Sequence, residues 1–177
     1  MTYGIREAKA EDWRELRDLR LAALADPVAP VAFTETYDRA AARAPLFWRK
    51  RAGQARNGRP ITTLVGELAD GSWAGMLTVF VEDGEANVVA VYVRPEHRGS
   101  GLAQQLFDAA QKWSWARSDV ARMRLDVHEG NPRAEAFYRR YGFVRTGSSR
   151  ADPVHPGALE WEMTFERPGG GGPSADR

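Results

Sequence analysis

The 177-residue chain is 43% hydrophobic and 28% charged, an ordinary balance for a globular domain with one substantial core. A formal net charge of +1 gives no excess for binding polyanions, and the absence of cysteine excludes disulfides, thiolate metal sites and a cysteine nucleophile. No apolar run approaches the ~20 residues that cross a bilayer. MTYGIREAK enters a folded pattern at once rather than a basic-then-apolar leader. The expected setting is therefore cytoplasmic, with neither nucleic acid nor membrane as partner.

In chain order, residues 3–6 read as a short strand. Residues 11–25 place Trp13, Leu16, Leu19 and Ala23 at helical spacing, with Glu11 and Asp12 in the first turn and Asp26-Pro27 as the stop. A looser helical region follows. Thr34 starts one segment through Arg43, Pro45 opens another containing Phe47 and Trp48, and Asn57-Gly58 makes a turn. Residues 61–68 and 73–81 form a hairpin about Ala69-Asp70-Gly71-Ser72, and Asp83-Gly84 turns the chain into a strand ending at Val93.

Arg98-Gly99-Ser100-Gly101 then leads into a helix with Leu102, Leu106, Ala109 and Ala110 on one side, running to about Arg117. A strand feeding a glycine loop that opens a helix is an anion site. The first helical N–H groups have no internal partner, the dipole is positive there, and glycine admits close approach. Residues 122–128 alternate as a half-buried strand, and Asn131-Pro132 begins a helix that stops at Gly142. Residues 143–146 and 158–165 are the last strands, joined by a surface loop over 147–157. The expected organisation is one domain over residues 1–167, of mixed α/β (α+β) class, and a disordered glycine-rich tail over 168–177.

The loop is not a Walker A sequence, which needs a lysine that is missing here. Nor is it a dinucleotide fingerprint, whose last glycine would fall on Gln104. Arg98-Gly99-Ser100-Gly101-Leu102-Ala103 instead resembles the R/Q-x-x-G-x-G/A acetyl-CoA signature of the GNAT N-acetyltransferase superfamily. Asn131-Pro132-Arg133-Ala134-Glu135-Ala136-Phe137-Tyr138, followed by Tyr141-Gly142-Phe143, resembles that family's second signature.

The resemblance implies a GNAT-like fold, with a central, mostly antiparallel sheet flanked by helices and splayed between its fourth and fifth strands. Acetyl-CoA is the implied co-substrate, with pantetheine pairing to the backbone of Val91, Tyr92 and Val93 and the pyrophosphate resting on the amides of Arg98, Gly99, Ser100, Gly101, Leu102 and Ala103. Arg98 adds positive charge. Asn131 would hydrogen-bond the cofactor arm, and Arg133, Ala134 and Phe137 would face it. Transfer would go directly from acetyl-CoA to a primary amine of a small molecule or peptide, with Tyr138 as the acid and the N–H near Val93 as the carbonyl donor.

The base stays open among Glu35, Glu82, Glu85, Asp126 and His128. The acceptor, a preference for longer acyl chains and homodimer formation also stay open. Phe33, Tyr37, Trp48 and Trp161 are candidates for the acceptor wall. His97, His128 and His155 make no HxxH or HExxH spacing, so no metal is expected. The alternatives are a non-catalytic acyl-CoA-binding sensor with the same fold and, third, a nucleotide-binding module.

Overall fold

The Asp70-Gly71 and Asp83-Gly84 turns fold the middle of the chain into three adjacent antiparallel strands, β2 (Ile61–Glu67), β3 (Trp73–Glu82) and β4 (Glu85–Val93). The computed structural model describes residues 2–53 and 58–169; Asn57 of the expected turn and most of the expected tail lie outside them. β1 (Gly4–Glu7) joins the outer side of β2. On the other side, β5 (Arg122–His128) lies parallel to β4. β7 (Leu159–Glu166) and β6 (Val144–Ala151) complete a seven-stranded sheet of order β1-β2-β3-β4-β5-β7-β6.

Before β2 come α1 (Trp13–Ala25), α2 (Ala29–Ala32), α3 (Tyr37–Ala41) and α4 (Pro45–Ala52). The expected helix from Thr34 is shorter, because Thr36 caps α3 by accepting the Arg39 N–H. Pro45 does open α4. The later helices are α5 (Leu102–Trp115) and α6 (Pro132–Tyr141). β6 runs on to Ala151, so much of the expected surface loop after Gly147 is strand, with a register break between Arg145 and Ser149.

Both faces of the sheet are covered. α5 places Leu102, Leu106, Phe107 and Ala110 against Leu64, Leu77, Val79 and Val88, and Tyr138 and Phe143 pack into the same cluster. On the opposite face, α1 sets Leu16, Leu19 and Ala23 against Val65, Met76 and Tyr92. Leu102, the first residue of α5, sits so close to Gly66 and Gly75 that a Cβ at either would come within 2.4 Å and 3.1 Å of its side chain. These glycines let the helix start lie directly on the sheet.

Candidate active site

β4 and β5 pair only over Glu85↔Arg122, Ala86↔Met123 and Asn87↔Arg124. The separation begins at a β-bulge. Met76 faces Tyr92 and Thr78 faces Val89, so Leu77 stands opposite both Ala90 and Val91. Ala90 takes φ 54°, a left-handed backbone on a residue with a Cβ. Beyond it the strands enclose a cavity of about 430 Å³, lined by Val88 to Val93 on one side and Leu125 to His128 on the other. The Arg94 N–H donates to the Ala74 oxygen at 2.8 Å, which fixes the alternation of the ladder. The backbone groups of Tyr92 therefore face β3, and those of Val93 face the cavity.

The glycine loop closes one end of this cavity. Gly99 (φ 77°) and Gly101 (φ 86°) adopt left-handed backbones, and a Cβ on either would meet nothing within 4 Å. The Gln105 N–H makes the bond to Gly101 O that starts the α5 ladder, so the N–H groups of Leu102, Ala103 and Gln104 precede it. Ser100 turns away from the cavity. Its Oγ donates to His97 O at 2.6 Å and accepts from the Tyr3 hydroxyl at 2.9 Å, while that hydroxyl also lies 3.0 Å from His97 Nδ1. Leu102 is core. Of the six expected loop residues, Arg98, Gly99, Gly101 and Ala103 line the cavity, and Ser100 and Leu102 have only backbone to offer.

The start of α6 forms the neighbouring wall. Asn131 caps that helix, its Oδ1 accepting the Ala134 N–H at 3.2 Å. Arg133, Ala134, Phe137 and Tyr138 line the cavity beside it. Tyr138 is only 8% exposed, among the rings of Phe107, Phe137 and Phe143, and no described residue hydrogen-bonds its hydroxyl. Burial pushes the phenol well above its ordinary pKa, so it keeps its proton at neutral pH.

The model of the acetyltransferase (GNAT) family matches residues 13–143. The chain belongs to that family. A Bacillus subtilis (strain 168) relative named "Putative ribosomal protein bS18-alanine N-acetyltransferase" is 29% identical over 78 residues, 44% of this chain; the match spans about half, 51%, of the relative's length. The PaiA N-acetyltransferase of Thermoplasma acidophilum, solved with coenzyme A, superposes with a TM-score of 0.75 at 18% identity, covering 94% of this chain and all of that one. Spermidine N-acetyltransferase of Vibrio cholerae, solved with CoA and spermine, gives 0.65 at 19% identity over 93% and 95% of the two chains. These last two likenesses concern the fold.

The GNAT frame sorts the candidate bases. Glu82 pairs with Arg59 and Glu85 with Arg122, each at 2.6 Å, and neither lines the cavity. Glu35 is held by Arg20 at 3.3 Å and Arg43 at 3.6 Å, also outside it. Asp126 and His128 do line it. The Nδ1 of His128 accepts the Gly130 N–H at 2.8 Å, which places the proton of the neutral ring on Nε2, 3.4 Å from Asp152 Oδ2. No lone pair of that imidazole is left for an acceptor. Asp126 is paired as Glu35 is, 3.3 Å from Arg150 and 3.6 Å from Arg124, and differs from it in lining the cavity.

The fold brings two of the scattered histidines together. His128 and His155 flank Asp152, and their ligand atoms lie within 4.8 Å of one another. These are metal-ligating residue types, but a ligating Nε2 needs its lone pair and a proton on Nδ1, where the Gly130 N–H already points. The hydrogen bonding suits a clamp instead. Asp152 Oδ1 accepts the Val154 and His155 N–H groups and so clamps the β6–β7 turn.

Of the aromatic candidates for the acceptor wall, Phe33 alone lines the cavity, with Val28, Val31 and Ala32. Trp48 is fully buried in the α1–α4 core, Tyr37 is exposed, and Trp161 packs against the main core under Arg145. Glu160 lines the cavity as well, paired with Arg150 at 2.5 Å. The sequence does not mark Glu160 or Gln104 as cavity residues, whereas the segment from Val28 to Tyr37, which the family resemblance implies for the acceptor pocket, does supply its α2 wall. Glu160 was legible only as the outward partner of an alternating strand.

Proposed function

We propose that this protein transfers an acetyl group from acetyl-CoA to a primary amine. The observation that carries the reading is that the opened β4 edge, the glycine loop and Tyr138 meet in one cavity. The loop suits a diphosphate on three counts: the two glycines leave its surface open, the amides of Leu102 to Gln104 precede the helical ladder, and Arg98 stands beside them. The freed β4 edge suits an extended amide-bearing arm such as pantetheine, taken up by backbone pairing.

Acetyl-CoA supplies the acyl group as a thioester. A cationic acceptor first gives up one proton to solvent; the free amine nitrogen then forms the new C–N bond as the C–S bond breaks, and one proton leaves nitrogen while one reaches sulfur. Asp126, directly or through water, accepts the proton leaving nitrogen in this step. Tyr138 supplies the one reaching sulfur from its hydroxyl, which burial keeps protonated at neutral pH. The Val93 N–H, directed into the cavity, is the donor for the carbonyl oxygen.

Asp126 and Glu160 on β5 and β7 face the apolar wall of Val28, Val31 and Phe33, an arrangement suited to a cationic amine on a short hydrocarbon chain or at a peptide end. The named activities of the relatives, on a ribosomal-protein alanine and on spermidine, are both of that class. Thiol release from acetyl-CoA, measured over a panel of polyamines and alanine-ended peptides, tests the reading. Turnover with at least one of them is expected. Tight acetyl-CoA binding without turnover of any amine would favour the non-catalytic sensor, a reading supported by the absence of a β4 carboxylate from the cavity lining.

A further inference from the structure

Asp26 ends α1 with its carboxylate inside the protein, the side chain only 3% exposed. Its Oδ1 accepts the Val28 N–H at 3.0 Å and its backbone oxygen accepts the Ala29 N–H at 2.9 Å, so the turn into α2 is wound on this one residue. Its Oδ2 takes Arg98 Nη2. Arg98 has a further tie: its Nε donates to Val93 O at 3.0 Å. Burial opposes ionisation of Asp26, but the Val28 N–H and Arg98 outweigh it and hold the carboxyl below its usual range.

α2 is the wall opposite Asp126, and Arg98 is the cation of the glycine loop. One buried carboxylate thus joins the acceptor side of the cavity to the diphosphate side across 72 residues of sequence. We propose that Asp26 is a positioning residue that divides the charge of Arg98 between the two halves of the site. It fixes α2 as the acceptor wall and, in doing so, partly withdraws the guanidinium from the anion on the loop. The proposal rests on the acetyl-CoA reading above. Its signature is a pair of effects of opposite sign, because a carboxylate that orders one substrate's wall also repels the other substrate's diphosphate.

Asp26→Asn isolates the charge. The amide oxygen still accepts the Val28 N–H, while the Arg98 guanidinium loses its counter-ion and is left to the loop. Calorimetry with acetyl-CoA should give a Kd equal to or below that of the wild-type protein, while the amine KM rises about tenfold or more, as expected for loss of a charged hydrogen bond. Amide hydrogen exchange at residues 28–33 should quicken, with residues 98–103 unchanged. Weaker acetyl-CoA binding, or an unaltered amine KM and exchange pattern, would overturn the proposal.

Should Asp26→Asn fail to fold, Arg98→Gln carries the test. It must quicken exchange at residues 28–33 although it lies in another loop, and unchanged exchange there counts against the coupling. Failure of the wild-type protein to acetylate any amine would defeat the proposed function. The calorimetric and exchange arms need no turnover and still decide the role of Asp26.

Discussion

The imidazole of His128 is held by the backbone N–H of Gly130, two residues along the chain, through a 2.8 Å bond to Nδ1. That bond turns a plausible base into a structural group. Replacing His128 with Asn should therefore reduce kcat by less than about tenfold, well short of the 10²–10⁴ of general base catalysis, and leave the shape of the pH–rate profile intact. A lost limb in that profile would restore His128 as the base. Asp126→Asn is the contrasting variant, expected to lower kcat by about 10²-fold or more.

Tyr138→Phe keeps the ring among Phe107, Phe137 and Phe143 and removes only the hydroxyl. The expected outcome is a fall in kcat of roughly 10²-fold or more with acetyl-CoA affinity unchanged. Steady-state kinetics beside calorimetry separates the two. Wild-type turnover would make Tyr138 a packing residue.

Gly101→Val acts twice. At φ 86° a β-branched residue is strained by about 1–2 kcal/mol, and its side chain stands in the open approach to the α5 amides. The expected results are a lowered melting temperature and a Kd for acetyl-CoA raised about tenfold or more, comparable to loss of a charge-assisted hydrogen bond. Unchanged affinity would mean that the loop binds no diphosphate.

Arg6 bridges Asp12 and Glu67, 2.7 Å from each. Its hydrogen bonds hold both carboxyls below their usual range. A carboxyl depressed in the folded state contributes stability above its unfolded pKa, about 4, and loses it as pH falls through the folded value. Arg6→Gln should therefore destabilise the protein at pH 7 more than at pH 3, narrowing the difference between them. Urea unfolding at the two pH values measures it, and an equal loss at both would show that the pairing is not electrostatic.

The strands, the glycine loop and the α6 boundaries were legible because each is written in local chemistry. Examples are the alternation of Met123, Leu125 and Val127, the Asp-Gly turns, Pro132 at a helix start and Gly142 at its end. The opening of the sheet was available only through the family resemblance, since Ala90 bears none of the glycine signal that marks a bulge. The Asp26–Arg98 pair was invisible for another reason. Asp26 reads as a helix terminator, and nothing local announces a partner 72 residues away. His128 fails in the opposite sense, as its residue type suggests chemistry that a neighbouring amide forecloses.

The limited pairing of β4 with β5 also makes folding and occupancy one measurement. Three residue pairs tie the halves of the sheet together at this seam, and the β4 edge beyond them faces the cavity. Whatever pairs with that edge binds the native chain and not the unfolded one, and so adds RT ln(1 + [L]/Kd) to stability. A melting curve recorded against acyl-CoA concentration is then a binding isotherm, and comparing acyl chains by that shift reads out donor preference before any acceptor has been found.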